Sequence, residues 1–308
     1  MKSKMASVIL LILIISLFGC GKSKDSYEEQ SFQNEEASMK NEFVSWCPYS
    51  EDYLKKLCDT YQLEEMTKEC QSDYEKVQKI SAWVSGLWEH DGVNESLQND
   101  PLYILDQVIN HGEQYRCVEY GIVINGCLNA LGLECRQLNL KTKDVETRKI
   151  GAGHVGCEAF LEDYNKWVFI DGQWGAIPMA KDVPLNAYEF GEAIRKNDPD
   201  LAIHWINNVY EATDSDYFKW IEPYLYYMDS GFKNIDGGYT TVMFVPDGGK
   251  NVTKFQRNYE IHMDHYLRDE QMFCYRKEDC KKSCKGGSPF VTKFFDHVSV
   301  KADSSENG

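Results

Sequence analysis

Between Tyr115 and Ile177 the chain carries Cys117, His154 and Asp171 in that order, each at the edge of a segment whose pattern fixes its local structure. The run YRCVEYGIVINGCLNALGLECRQL puts apolar residues at Tyr120, Ile124, Cys127, Leu128 and Leu131 and stops at Gly132. That is the spacing of a helix with a glycine just past its end. Cys117 therefore stands at or near a helix N-terminus, where unpaired backbone N–H groups and the helix dipole favour a thiolate. His154 comes directly before Val155–Leu161, which reads as a strand. Asp171 closes a second strand, Trp167–Ile170, across the polar turn 162–166. A hairpin of these strands brings imidazole and carboxylate to the same end. There the carboxylate can hold one ring nitrogen while the other takes the thiol proton.

These residues and their flanks resemble the transglutaminase-like superfamily. The helix-like DYEKVQKISAWVSGLWEHD comes first, and DPLYILDQVINHGEQYRC leads into the cysteine. ALGLECRQL then turns the helix into a strand, and the aspartate lies in WVFIDGQWG. The resemblance covers roughly residues 72–178 and implies an α+β fold. That fold is a papain-like transglutaminase core with a helical N-terminal part, an antiparallel β-sheet and a β-rich C-terminal section. It implies Cys117 as nucleophile, His154 as general base and acid, and Asp171 as the orienting carboxylate. Gln114, three residues before the nucleophile, is the candidate oxyanion donor beside the Cys117 N–H, although papain-like relatives carry a Gln farther upstream.

The implied chemistry is attack on an amide carbonyl through a thioester intermediate. Water as acceptor makes a peptidase or amidase, and a primary amine makes a transglutaminase. The same fold also hosts modules that only bind peptide or glycan, and an unreactive Cys117 would mark one of those. No cofactor is called for, since the Ca²⁺-loop pattern D-x-[DN]-x-[DN]-G is absent. The expected partner is a peptide or protein substrate.

Upstream, Lys2 and Lys4 precede an apolar run from Val8 to Leu17 that ends in LFGC at Cys20. A basic start and an apolar run too short to span a bilayer comfortably make a secretory signal. A cysteine after Leu-Phe-Gly resembles the lipobox of bacterial lipoproteins. It implies lipidation of Cys20 and attachment to a cell membrane surface outside the cytoplasm. Residues 21–45 are polar and acidic and read as a flexible tether, with globular structure beginning near Trp46. The expected division is signal 1–20, tether 21–45, core 46–185 and an α/β extension 186–308.

The formal net charge of −16 excludes nucleic-acid binding through phosphate contacts, and no basic stripe overrides it. Eleven cysteines are present. With Cys20 and Cys117 set aside, Cys47, Cys58 and Cys70 precede the core, while Cys274, Cys280 and Cys284 follow it. A disulfide joining these flanking groups is expected. Cys127, Cys135 and Cys157 fall on apolar positions and read as buried thiols. His262 and His265 lie upstream of a C-x5-C-x3-C run, but the spacing fits no zinc finger and KEDCKKSCKGG opposes a dication, so no metal is expected.

Elsewhere, Tyr74–Trp88 carries a core-facing stripe of Val77, Ile80, Trp83, Val84 and Leu87. Asp100-Pro101 reads as an N-cap and first helical residue. Residues 141–153 form a charged loop that suits a mobile lip over the thiol. Asp247-Gly248-Gly249 signals a hairpin, and 289–301 reads as a last strand.

Overall fold

The computed structural model describes residues 34–270. Helix α1 (34–42) leads into β1 (Phe43–Ser45), followed by α2 (Glu51–Tyr61), α3 (Leu63–Thr67), α4 (Asp73–Ser85), α5 (Pro101–His111) and α6 (Cys117–Ala130). Strands β2 (Cys135–Lys141), β3 (Gly153–Leu161), β4 (Lys166–Ile170), β5 (Ala176–Ala180) and β6 (Val183–Pro184) come next. Then follow α7 (Ala187–Lys196), β7 (Leu201–Trp205), α8 (Asp214–Ile221) with a 3-10 turn Glu222–Tyr224, β8 (Tyr227–Asn234) and β9 (Tyr239–Phe244). The short pair β10 (Lys254–Phe255) and β11 (Tyr259–Glu260) precedes β12 (His265–Leu267). The result is the expected α+β arrangement.

The main sheet has seven strands in the order β12-β9-β8-β2-β3-β4, with β1 beside β8. All neighbours are antiparallel except β12 and β9. Both faces are covered, which explains why β3 and β4 read as near-continuous apolar runs. Cys157, Ala159, Leu161, Val168 and Ile170 pack with α2 and α4–α6. Phe160, Trp167 and Phe169 pack on the other side with α7, α8 and the N-terminal Met39, Phe43 and Trp46.

Local chemistry starts the helices where the sequence says it should. Asp100 caps α5 by accepting from Tyr103 N, with Pro101 at the first position, where its missing N–H costs nothing. Asn186 and Thr213 each form a reciprocal capping box, with Glu189 and Asp216. Helix α6 is buried on every side from Glu119 to Leu128. It fits this central position because Gly126 lets α5 approach: a Cβ there would lie 2.5 Å from Pro101 Cγ. That close approach offsets the helix propensity a glycine loses.

Four expectations need correction. Residues 34–45 are not a loose tether. Met39 and Phe43 are buried in the core, and Glu36 and Glu42 accept from Asp269 N and His265 Nε2. Counting apolar residues missed that a few of them, with acidic side chains as acceptors, find a ready-made surface. The core is not confined to 46–185, since β8 hydrogen-bonds β2 and β9 extends the same sheet. The turn at Asp247-Gly248-Gly249 makes no hairpin, because β9 already pairs with β8 and β12. The hairpin lies instead at 235–238, where Gly237 takes φ +80° and Asn234 Oδ1 accepts from Gly238 N.

The fourth correction concerns the loop 142–152, which is not a free lip. Val145 and Ala152 are buried with Val245 and Val252. Glu146 accepts from Thr253 N at 2.9 Å and pairs with Lys250, and Val145 O accepts from Gln256 N at 2.9 Å.

Cys20, the cysteines Cys274, Cys280 and Cys284, and the segment 289–301 lie outside the described residues. Cys47, Cys58 and Cys70 are free thiols here. Among the described residues no helix is long and apolar enough to cross a membrane. Nor does any group of three or more His, Cys, Asp or Glu side chains gather as a metal site. His265 faces Glu42 at 3.2 Å, while His262 is exposed.

Candidate active site

Cys117 is the first residue of α6, and the residue before it, Arg116, makes no side-chain cap. The first-turn N–H groups are thus left for whatever negative charge forms there. The guanidinium of Arg116 instead turns to Glu119 (3.0 Å) and Glu95 (3.1 Å). Glu119 is buried and also accepts from Ser96 N, which fixes the approach to the helix.

His154 is the second residue of β3, paired opposite Leu140, and Asp171 follows the last residue of β4. The β3–β4 register ends with Cys157 opposite Ile170, so the two polar groups meet at the open end of the hairpin, away from its turn. His154 Nε2 lies 2.8 Å from Asp171 Oδ2, with both side chains buried. Since Nε2 is taken, Nδ1 is the nitrogen left for the Cys117 thiol, to which the ring is hydrogen-bonded. The structure thus brings Cys117, His154 and Asp171 together.

Asp171 is anchored from three directions. Besides the imidazole it accepts from Tyr217 O–H at 2.8 Å and from Trp174 N at 3.1 Å. Burial, and then the Asp171 charge, push the Tyr217 phenol well above its usual range, so the hydroxyl stays a donor. Trp220 meets the His154 ring edge to face with centroids 4.8 Å apart, and Trp174 packs at a tilt against Trp220 and Tyr210. These rings, from α8 and the loops after β4 and β7, cover the ion pair, where low polarizability strengthens each charge–charge contact.

Burial alone would oppose ionising the Cys117 thiol. Hydrogen bonds from His154 and His90, the His154 charge and the Val155 N–H overcome it and pull the thiol down to about 6. Burial likewise opposes charging His154, but the Asp171 charge and hydrogen bond, with the thiol beside it, push the ring up to about 10. Between those values the pair is thiolate and imidazolium, the reactive form of a cysteine nucleophile.

Gln114 is not brought to the sulfur. It is exposed, its carbonyl accepts from Asn94 Nδ2 at 2.7 Å, and among the described residues no hydrogen bond links its amide to Cys117. The chain turns outward there to close α5 before α6 begins. Two side chains that do reach the site escaped the reading of the sequence. Tyr217 is 46 residues from its carboxylate partner, inside an aromatic run with no motif. His90 follows α4 in a loop, where a lone histidine gives no signal.

Residues 61–172 match the family model described as the transglutaminase-like superfamily, a span that includes Cys117, His154 and Asp171. Among solved structures, a proposed cysteine protease from Cytophaga hutchinsonii is 18% identical, with 42% of this chain and 40% of that one covered, at a TM-score of 0.31. A red sea bream transglutaminase is 14% identical over 84% of this chain and 47% of its own, at 0.33. Legionella pneumophila LapG in its calcium-bound form is 11% identical over 56% of this chain and 98% of its own, at 0.30. The chain spans about two fifths of the length of the first of these relatives. No curated protein matches it. Over residues 61–172, then, the chain matches the transglutaminase-like superfamily, and the three candidate site residues lie inside that match.

Proposed function

We propose that the protein is an acyl-transfer enzyme that uses Cys117 as nucleophile, held outside the cytoplasm on a membrane surface by lipid on Cys20. The observation that carries the reading is the buried His154–Asp171 pair at 2.8 Å with its ring hydrogen-bonded to a thiol held at about 6. A merely structural cysteine gains nothing from that arrangement, whereas a nucleophile requires it.

The steps follow from the geometry. The Cys117 thiolate attacks an amide carbonyl carbon, and the C=O electron pair moves to oxygen. As the tetrahedral intermediate collapses, His154 gives its Nδ1 proton to the leaving amine, and an acyl-thioester remains on Cys117. An incoming water or primary amine then loses a proton to His154, attacks the thioester and releases the thiol. Asp171 stays ionised throughout and holds the ring by Nε2. We favour hydrolysis of peptide or isopeptide bonds, in a protein or in cell-wall peptides, over protein crosslinking, as suits a lipid-anchored protein outside the cytoplasm.

The test is incubation of the full chain with casein, with and without dansylcadaverine, beside Cys117→Ala. New casein fragments dependent on Cys117 mark a peptidase, and dansyl incorporation marks a transferase. A wild-type Cys117 that resists alkylation, in a folded protein, would leave only the binding-module reading. The leader is tested separately: mass spectrometry of the protein expressed in bacteria should find an acylated Cys20 at the mature N-terminus, and an unmodified chain refutes the anchor.

A further inference from the structure

We propose that His90 is a second catalytic histidine, one that donates its ring N–H to the oxygen of the tetrahedral intermediate formed at Cys117. The inference rests on the acyl-transfer reading above. Its basis is a placement too well secured to be incidental. His90 belongs to the turn that leaves α4, and this turn is fastened to both sides of the nucleophile. Asp91 N donates to Tyr115 O at 3.0 Å, and Trp88 Nε1 donates to the same carbonyl at 3.3 Å, two residues before Cys117. Three residues after Cys117, Tyr120 O–H donates to Trp88 O at 2.7 Å and its ring stacks on Trp88 with centroids 4.1 Å apart. Beyond His90, Asp91 Oδ1 accepts from Val93 N and Asn94 N, which closes the turn. Held on both flanks, the turn sets His90 beside the first turn of α6, and the His90 ring, with that of His154, helps to hold the Cys117 thiol down.

The two histidines differ in what stands behind them. His154 has a buried carboxylate at 2.8 Å, which suits it to carry a proton back and forth. His90 is half-buried, and among the described residues no carboxylate pairs with it. The base role therefore belongs to His154, and His90 is left as a hydrogen-bond donor. Stereochemistry sets the rest. The leaving nitrogen must face His154 to receive its proton, so the carbonyl oxygen must point elsewhere, toward another donor near the sulfur. His90 and the uncapped N–H of Cys117 are donors there on the side away from β3, which carries His154 and the Val155 N–H, whereas Gln114 is turned out to solvent. When sulfur attacks and the π pair moves to oxygen, His90 shifts its hydrogen bond from the departing thiolate charge to the new oxyanion.

The experiment compares two reagents that use the same sulfur. Acetylation by p-nitrophenyl acetate passes through an oxyanion and is read as p-nitrophenolate release above the Cys117→Ala background. Alkylation by iodoacetamide displaces iodide with no oxyanion. Both are run on the full chain at pH 8, where the wild-type thiol is ionised. His90→Ala should slow acetylation about 100-fold, the range for losing one oxyanion donor. Alkylation should change by no more than about 3-fold, because thiolate nucleophilicity depends only weakly on its basicity. His90→Gln, which keeps an N–H donor, should recover much of the acetylation rate and guards against a folding artefact. Equal loss in both reactions would assign His90 to the thiolate alone, and no loss in either would remove it from the site; each overturns the proposal. A wild-type Cys117 inert to both reagents overturns the acyl-transfer reading itself, a result distinct from a reactive wild type that is indifferent to His90.

Discussion

The sharpest test of the site is the pH dependence of Cys117 alkylation, with His154→Ala beside the wild type. Hydrogen bonds and charge pull the thiol from an ordinary 9.0 to about 6 against the cost of burial. At pH 6 about half of the wild-type thiol is then ionised, against about one part in a thousand for an unshifted thiol, a ratio of about 500. A less basic thiolate is also a weaker nucleophile, and a Brønsted slope of about 0.45 takes back about 20-fold. The net advantage at pH 6 is about 25-fold. The sign is fixed by the direction of the shift: a depressed thiol is reactive above its lowered pKa, so the rate should climb between pH 5 and 7 with its midpoint near 6. His154→Ala removes both the hydrogen bond and the positive charge and leaves burial opposed only by His90 and Val155. Its midpoint should move above 8, and labelling at pH 6 should fall by about 25-fold or more. The assay is iodoacetamide labelling mapped to Cys117 by mass spectrometry. A wild-type midpoint near 9, or two superimposable profiles, would refute the ion pair.

Asp171→Asn keeps acceptors for Trp174 N and Tyr217 O–H but deletes the charge that raises His154, so the labelling midpoint should move toward that of His154→Ala while near-UV circular dichroism stays native. Tyr217→Phe leaves the buried carboxylate one donor short and should lower stability by about 1–3 kcal/mol in urea unfolding. The pair Arg136–Glu158 lies wholly buried at 2.6 Å, with the guanidinium against the rings of Trp46 and Trp167. Arg136→Met alone should cost about 3–5 kcal/mol by stranding the carboxylate, and Arg136→Met with Glu158→Met should recover most of it; additive losses would contradict that account.

The triad was legible because its three residues sit at element edges that short-range chemistry marks. A helical run ending in glycine locates Cys117, and a polar turn between two β-rich runs locates His154 and Asp171. What supports the triad was not legible, since it arrives from far along the chain. Nothing in DYFKWIEPYLYY says that Tyr217 will meet Asp171 or that Trp220 will cover His154; both depend on how α8 packs across the sheet. His90 was hidden for a related reason. Its approach to Cys117 depends on Trp88 and Asp91 finding one carbonyl, at Tyr115, a contact with no local pattern. The tether was misjudged because composition describes what a segment can bury alone. Met39 and Phe43 bury themselves against β8 and Trp46, surfaces supplied by the rest of the fold.

These long-range contacts make the chain beyond residue 185 part of the structure that surrounds His154 and Asp171 rather than an appendage to it. Asp171 needs Tyr217 as a donor, and the His154 ring is covered by Trp220 and Tyr224. The strand that presents His154 begins at Gly153, where a Cβ would lie 3.0 Å from the Phe255 ring. That contact is tighter than side chains ordinarily make, so a larger residue there would push on the Phe255 ring. The same short segment binds the loop before it: Thr253 and Lys250 hold Glu146, which these contacts depress to about 2. A carboxylate so held stays ionised across the range in which Cys117 and His154 form their ion pair. The contacts that hold loop 142–152 therefore persist under the conditions where the thiolate is reactive.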